Sequence, residues 1–241
     1  MKRLIIASLL IAGVVVLWMT AFPSVTVRYR LTLDARVDGE LKTASSVREV
    51  TYSKQSGFAS QQELRVRYRG EAIALDLGSR GTLFALLTKD TDDRSGAEWI
   101  VLRAFGFSGG SLPRPVEEGL KEVSRLSGKR ELPLDGLPML VRFRDMNDPK
   151  TVVKVDPIDI GRSFGDGTKL VRATLEIVPV GIWPLNSVGI AGEPITTGIE
   201  KRLSWLAKHY DIKFDGQRFE TISASLRLAN SLASGAFKAG F

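Results

Sequence analysis

Two contrasting patterns of apolar and polar residues open the chain. Leu4–Phe22 contains 19 residues without a charge, and only a short basic head precedes it. From Val25 to Val37, apolar residues instead occupy every second position, with polar residues between them. The first pattern is typical of a helix surrounded by lipid, and the second is typical of a β-strand with one buried face.

The uncharged stretch has the length of a membrane-spanning helix. At about 1.5 Å per helical residue it reaches roughly 28 Å, close to the hydrocarbon thickness of about 30 Å. A cleaved signal peptide is the alternative, but it has a shorter apolar core and small residues at its exit, where this chain has Met19. We expect residues 1–22 to form an uncleaved anchor that contacts membrane lipid through residues 4–22. Lys2 and Arg3 favour an N-terminus on the cytoplasmic side, although Arg28, Arg30 and Arg36 follow closely on the other side. We expect a single-pass protein of the bacterial inner membrane with the rest of the chain, 23–241, in the periplasm.

The rest of the chain predicts an α+β fold that is mainly antiparallel β. Segments with alternating apolar residues follow one another through short turns, which favours antiparallel neighbours over βαβ units. Asp38-Gly39 and Asp215-Gly216 suit tight hairpin turns, and a change of apolar phase indicates a β-bulge near Arg48. The predicted strands cover 25–37, 40–54, 64–69, 73–77, 97–105, 139–143, 151–155, 171–177 and 219–229.

Three short helices are predicted, at about 115–127, 157–164 and 198–207. The first begins at a proline, which suits the first helical position, and the last opens with a capping box at Thr197–Glu200. Several Gly and Pro residues follow Gly128, so the stretch 128–138 is a possible boundary between two halves of the domain.

Three segments of the second half resemble a group of uncharacterised bacterial proteins. They are Leu137–Phe143 (LPMLVRF), Asp148–Gly165 (DPKTVVKVDPIDIGRSFG) and Ile195–Leu206 (ITTGIEKRLSWL). The resemblance covers residues 25–210 and implies one N-terminal membrane segment followed by a strand-rich domain. It implies no activity and no site.

Composition excludes several classes of site. The net charge of +7 comes from interspersed basic and acidic residues, without the clustered basic footprint of a nucleic-acid-binding protein. Zero cysteines exclude disulfides and thiolate metal sites, and the single histidine excludes a multi-histidine site within the chain. Aspartates in 90–93, 145–148 and 156–166 match turns and helix caps better than a metal-binding order. We expect no metal, no cofactor and no nucleic-acid partner.

One enzymatic alternative remains open. Gly106–Gly110 (GFSGG) matches the G-x-S-x-G nucleophile elbow. Ser108, then Asp156 or Asp159, then His209 follow the chain order of a serine hydrolase. The elbow requires a helix that begins at the nucleophile, whereas Ser111–Pro115 separates Ser108 from the predicted helix. A glycine-rich connection and a structural histidine explain the same residues. A membrane-tethered serine hydrolase using Ser108 and His209 is therefore the second hypothesis.

Arginines concentrate on one face of two predicted strands, and period two places them opposite the apolar residues. They are Arg28, Arg30 and Arg36 on the first strand and Arg65, Arg67 and Arg69 on another. The first strand starts just after the apolar stretch, so its arginines are expected near lipid headgroups, where each contributes on the order of 1 kcal/mol with anionic lipid. An ordinary solvated sheet face is the alternative.

The leading hypothesis is a non-enzymatic envelope protein with a binding or scaffolding role at the membrane surface. Its binding residues are predicted to be the arginines that lie nearest the anchor or on the second arginine-rich strand. We expect these to contact anionic lipid or an acidic protein partner through Arg28, Arg30, Arg65, Arg67 and Arg69.

Overall fold

Two antiparallel sheets and four short α-helices make up the described part of the protein, which confirms the expected α+β, mainly antiparallel class. The computed structural model describes residues 23–55, 63–89, 96, 98–182, 184–219 and 228–240. The predicted anchor at residues 1–22 lies outside these ranges. No helix within them is long and apolar enough to cross a membrane.

The described residues contain ten strands in two sheets. They are β1 (Ser24–Val37), β2 (Glu40–Lys54), β3 (Leu64–Glu71), β4 (Ile73–Asp76), β5 (Thr82–Ala85), β6 (Lys129–Leu132), β7 (Leu140–Phe143), β8 (Val152–Val155), β9 (Thr168–Val178) and β10 (Lys238–Ala239). The six-stranded sheet has the order β10-β3-β2-β1-β9-β6, and the four-stranded sheet has the order β4-β5-β7-β8. Both sheets combine strands from before and after residues 128–138, and β6 occupies part of that stretch.

β1 and β2 form a long hairpin at the centre of the six-stranded sheet, and their register runs without a break along both strands. Asp38 and Gly39 connect them with φ angles of 49° and 90°, the left-handed backbone of a type I′ turn. The bulge predicted near Arg48 is wrong: the apolar phase changes because Arg48 itself occupies a core-facing position. The irregularity lies instead between β1 and β9, at Asp34/Ala35.

Four α-helices are present among the described residues: α1 (Ile100–Ala104), α2 (Val116–Val123), α3 (Gly161–Phe164) and α4 (Ile199–Arg202). Short 3₁₀ turns cover Gly78–Arg80, Ser108–Gly110, Leu134–Gly136, Pro149–Thr151, Leu185–Ser187, Leu206–His209, Leu228–Asn230 and Ser234–Ala236. α2 confirms the first predicted helix and buries its apolar stripe. α3 forms only the end of the helix predicted at 157–164, because Asp156 accepts a hydrogen bond from the Ile158 N–H in a separate turn.

Two predictions from local pattern are wrong. The strand predicted at 97–105 contains helix α1, whose Ile100, Val101 and Leu102 are all buried; an apolar run buried on several sides suits either structure. The helix predicted at 198–207 is divided into α4 and the 3₁₀ turn at Leu206–His209. Its capping box does not form, because the N-cap position of α4 is Gly198, which has no side chain to cap with, rather than Thr197. The Ile199 N–H at the start of the helix donates to the Glu71 carboxylate.

The second predicted hairpin is described only in part. Ile212 and Arg218 form a single antiparallel bridge around the Asp215-Gly216 turn. Most of the strand predicted at 219–229 lies outside the described residues, and Leu228–Asn230 is a 3₁₀ turn.

The four-stranded sheet lies between two apolar layers because its side chains alternate between faces. One face, which includes Leu75, Leu83 and Leu140, packs into the cluster that contains the core side of the six-stranded sheet. The opposite face packs against an aromatic cluster from the C-terminal part of the chain. There the Phe143 ring lies 5.7 Å from that of Phe84 and 5.3 Å from that of Trp205, measured between ring centroids, with edge-to-face geometry.

Arg48 is fully buried between the two sheets. Its Nε donates to the carbonyl oxygen of Glu71 at 3.2 Å, and its Nη2 donates to the carbonyl oxygen of Ala85 at 3.2 Å. Gly70 lies against the stem of the side chain: a Cβ there would lie 2.8 Å from Arg48 Cγ. One guanidinium group therefore connects β2, the end of β3 and β5 of the second sheet.

Replacing Arg48 by Ala is expected to lower the free energy of unfolding by roughly 3 kcal/mol, because it opens a cavity and removes one hydrogen-bond donor from each of two buried carbonyl groups. Of these, the Glu71 carbonyl keeps the Ser46 hydroxyl as a second donor. Arg125→Ala, at an exposed position, is the control and should change stability by less than about 0.5 kcal/mol. Urea denaturation of the full chain in a nonionic detergent measures both. Equal midpoints for the two variants would contradict the structural role of Arg48.

Glu71 connects the six-stranded sheet to α4 through a buried carboxylate, which accepts from the Ile199 N–H at 2.7 Å and lies 4.0 Å from Lys238 Nζ. Burial raises the pKa of Glu71 above its usual value, and the effect outweighs the opposing contributions of the Ile199 N–H and Lys238. The folded state therefore binds this proton more tightly than the unfolded chain. Its contribution to stability is largest below the usual pKa of about 4.3 and is lost as pH rises through the folded-state pKa.

We therefore expect Glu71→Gln, which keeps an oxygen acceptor for Ile199, to gain stability relative to wild type between pH 4 and pH 8. The exposed Glu118→Gln is the matched control. Denaturant unfolding at several pH values gives the difference in free energy between each variant and wild type. The expectation is contradicted if the unfolding free energy of Glu71→Gln minus that of wild type stays constant, or falls, as pH rises.

Candidate membrane-facing surface

The outer face of the six-stranded sheet carries three rows of polar side chains that cross β1, β2 and β3. Each row contains one residue from each strand, paired by the strand register. The first row is Ser24, Ser53 and Arg65, the second is Thr26, Thr51 and Arg67, and the third is Arg28, Glu49 and Arg69. Because side chains alternate along each strand, all nine share this face. We name them the arginine–hydroxyl rows.

Arg28 and Arg30 are engaged within the protein. The side chain of Arg28 is 5% exposed, and its Nε donates to Glu49 Oε2 at 3.1 Å while a terminal nitrogen donates to the Glu193 carbonyl oxygen. Arg30 pairs with Glu176 at 3.3 Å and with the Glu193 carboxylate. The chain that follows β9 thus folds back over these two arginines, a long-range contact that strand periodicity does not reveal.

Of the five arginines predicted to bind, Arg65, Arg67 and Arg69 are exposed. Arg69 Nε donates to the Gly240 carbonyl oxygen at 3.1 Å, and its Nη1 lies 3.9 Å from Glu49 Oε1. Arg65 and Arg67 lie beside the hydroxyl groups of the first two rows. These positions suit contact with a surface that carries negative charge.

A closed loop, Pro179–Glu193, extends from the end of β9, and we call it the apolar loop. The Glu193 N–H donates to the Pro179 carbonyl at 3.2 Å, and the Ile182 N–H donates to the Ala191 carbonyl at 3.1 Å. Gly181 and Gly192 have positive φ and approach so closely that a Cβ on Gly181 would overlap the Ala191 carbonyl. These contacts hold the base of the loop closed.

The apolar loop exposes large hydrophobic side chains. Ile182, Val188 and Ile190 are 69%, 68% and 74% exposed, and Leu185 is 43% exposed. Single exposed apolar residues are ordinary on protein surfaces, whereas several in one closed loop mark an interaction site. Strand periodicity missed this group. Its signal is a run of apolar residues among the Gly and Pro of GIWPLNSVGIAGEP, where no buried element is predicted.

The apolar loop and the exposed arginines lie at the same end of the six-stranded sheet. β9 ends at Val178, opposite Arg28, and the first arginine–hydroxyl row contains Ser24 at the start of β1. Pro23 is fixed at this end, since its carbonyl oxygen accepts from the Lys54 N–H at 2.9 Å. We call this end, where the chain emerges from residues 1–22, the proximal pole. The opposite end, at the Asp38–Gly39 turn, is the distal pole.

Ser108 and His209 belong to different parts of the structure. Ser108 starts a three-residue 3₁₀ turn after α1 and lines a cleft formed by residues of 105–122. His209 packs edge-to-face on Trp205 and Phe214 in the aromatic cluster, and its Nδ1 lies 3.1 Å from the Trp205 carbonyl oxygen. The strand–serine–helix order of a nucleophile elbow is also missing, because a helix precedes Ser108 and extended chain follows the turn.

A fluorophosphonate probe is therefore expected to label the full chain no more than it labels a Ser108→Ala variant, because among the described residues no base is hydrogen-bonded to the Ser108 hydroxyl. Chymotrypsin serves as the positive control for the probe. Strong labelling that disappears in Ser108→Ala would instead establish the serine hydrolase alternative.

The aspartates noted as oxygen ligands act in turns. Asp145 accepts from the Asn147 N–H at 2.9 Å, Asp148 from the Lys150 N–H at 2.9 Å and Asp159 from the Arg162 N–H at 3.2 Å. Within the described ranges, no group of three or more His, Cys, Asp or Glu side chains is arranged to hold a metal ion. Residues 90–93 lie outside those ranges.

No family model, curated protein or solved structure matches the chain. The protein is defined by its architecture: an α+β body of two antiparallel sheets with an apolar loop and exposed arginines at one pole. Its function has to be inferred from that geometry.

Proposed function

We propose that the chain is a single-pass envelope protein with a non-enzymatic binding or scaffolding role at the surface of the bacterial inner membrane. Residues 1–22 form the anchor, and the domain from residue 23 lies on the periplasmic side, in keeping with Lys2 and Arg3 at the N-terminus. The observation that carries this proposal is the apolar loop at the proximal pole, beside the point where the chain emerges from the anchor.

The proximal pole lies at headgroup level because almost no chain separates it from the anchor. Only Pro23 stands between Phe22 and the first residue of β1. Arg28, to which the base of the apolar loop is bound, is five residues from Pro23, or about 17 Å along an extended strand. The loop therefore lies within reach of the bilayer interface.

The apolar loop contributes more free energy to membrane contact than the arginines do. Complete burial of one Ile, Leu or Val contributes about 1.5–3 kcal/mol, so four partly exposed side chains contribute on the order of 5 kcal/mol together. Three arginines contribute at most about 3 kcal/mol before salt screening. The loop is already closed by its own hydrogen bonds, so little ordering cost opposes insertion.

The absence of cysteine allows a unique fluorophore to be attached at any chosen position. We expect an NBD group on Val188→Cys of the full chain, reconstituted in vesicles, to emit at shorter wavelength and to be quenched by doxyl lipids. Ile158→Cys is the matched control, since Ile158 is 73% exposed but lies outside the loop. Water-like emission from both sites would refute membrane contact by the loop.

Varying the lipid composition in the same assay separates the contribution of the arginines to membrane contact from that of the apolar loop. At low salt, adding anionic phosphatidylglycerol should increase the depth of the NBD group at Val188→Cys in the bilayer. Changing Arg65, Arg67 and Arg69 to Gln should abolish that increase in depth. A charge-matched control changes the exposed Arg36, Arg125 and Arg202 to Gln. If both triple variants respond to anionic lipid like the parent, the arginine–hydroxyl rows have no lipid role, while the loop result stands on its own.

A further inference from the structure

A charged cleft lies beside β7, β8 and α3, with a volume of about 600 Å³. Four cationic side chains and two carboxylates line it, among them Arg142, Arg144, Arg162, Asp156 and Asp159. None of these residues belongs to the arginine–hydroxyl rows or the apolar loop. The volume is in the range of pockets that bind small molecules.

The arginines come from two elements that converge on the cleft. Arg142 belongs to β7, Arg144 directly follows its last residue, and both side chains line the cleft. Arg142 donates to the Ser163 carbonyl oxygen, and its guanidinium carbon lies 4.8 Å from the centre of the Phe164 ring. Arg162 approaches from α3. Arg142 is thus held in a fixed orientation and gives the cleft a preorganised cation.

In the described part of the chain, the aspartates of the cleft are hydrogen-bonded to backbone N–H groups in turns and are not ion-paired with Arg144 or Arg162. Asp156 Oδ1 accepts from the Ile158 N–H at 2.9 Å, and Asp159 Oδ1 accepts from the Arg162 N–H at 3.2 Å. Among the described residues, no ion pair within 4.0 Å joins either carboxylate to Arg144 or Arg162. The cleft therefore offers guanidinium donors for an anion together with carboxylate acceptors for hydroxyl or amino groups.

The cleft lies at the distal pole. Arg80 donates to the Phe164 carbonyl at 3.3 Å and to Asp38 Oδ1 at 3.0 Å, which places α3 beside the Asp38–Gly39 turn. β1 spans 14 residues, about 43 Å at 3.3 Å per residue, so the cleft is roughly 40 Å from the proximal pole. Headgroups of a bilayer at the proximal pole do not reach it.

We propose that this cleft binds the phosphate group of a soluble small molecule whose substituent carries hydroxyl or amino groups. Guanidinium groups match phosphate oxygens with paired, charge-assisted hydrogen bonds, and Arg142, Arg144 and Arg162 supply them. Asp156 and Asp159 contact the substituent. This site is independent of membrane contact, so its test does not depend on the function proposed above.

Isothermal titration of the full chain in a nonionic detergent tests the site, with glycerol 3-phosphate and inorganic phosphate as probes. We expect saturable binding of both, tighter for glycerol 3-phosphate, and a loss of about tenfold or more in Arg144→Gln/Arg162→Gln. Arg36→Gln/Arg125→Gln removes the same charge at exposed positions elsewhere and should bind like wild type. Unfolding midpoints equal to wild type establish that each variant is folded.

Two results would overturn the proposal. One is the absence of saturable binding to wild type, and the other is equal affinity in wild type and Arg144→Gln/Arg162→Gln. A lipid source is tested with vesicles that contain phosphatidylglycerol. If Arg144 and Arg162 affect vesicle binding but neither soluble probe binds, the ligand is a headgroup and the proposal of a soluble one is wrong.

Discussion

A charged side chain between two apolar sheets is the constraint on which this structure depends. Burying a guanidinium group costs free energy unless its donors are satisfied. Arg48 Nε and Nη2 find acceptors in the carbonyl groups of Glu71 and Ala85, whereas the buried Nη1 has no hydrogen-bond partner among the described residues. Those carbonyl groups belong to strands of different sheets. Their spacing and register must therefore match the reach of one side chain, and Gly70 is needed because a larger residue would collide with the stem of Arg48.

The long β1–β2 hairpin runs between two poles that differ in chemistry, the proximal pole at its open end and the distal pole at its turn. Glu193 is bound by Arg28 and Arg30, so the apolar loop that ends there is attached to the proximal pole. Arg80 attaches α3 to the turn at the other end and thereby places the arginine cleft at the distal pole. Ion pairs and backbone hydrogen bonds of these arginines, whose side chains the sequence pattern assigns to solvent, thus position the surfaces of the protein.

The periodicity of apolar residues predicted correctly those strands and helices that are determined by residues close to them in the sequence. The β1–β2 hairpin and α2 follow from alternation, a type I′ turn and a helical stripe, all of which are local. The position of Arg48 on a core face, the capping of α4 by Glu71 and the division of the helix predicted at 198–207 depend on residues far away in the chain. The exposure of the apolar loop was hidden for the opposite reason: apolar residues are expected to be buried, and only the folded arrangement shows that Ile190 is not.

The most direct test of the account is the height of each pole above a bilayer. Energy transfer from a donor on Ile190→Cys or Leu41→Cys of the full chain to acceptor lipids at the vesicle surface measures that height. The account predicts that the donor at 190 lies within about 15 Å of the lipid surface and the donor at 41, near the distal turn, at about 40 Å, the length of the intervening strand. Equal heights for the two donors, or a donor at 41 that lies closer to lipid, would contradict an upright body with its apolar loop at the membrane.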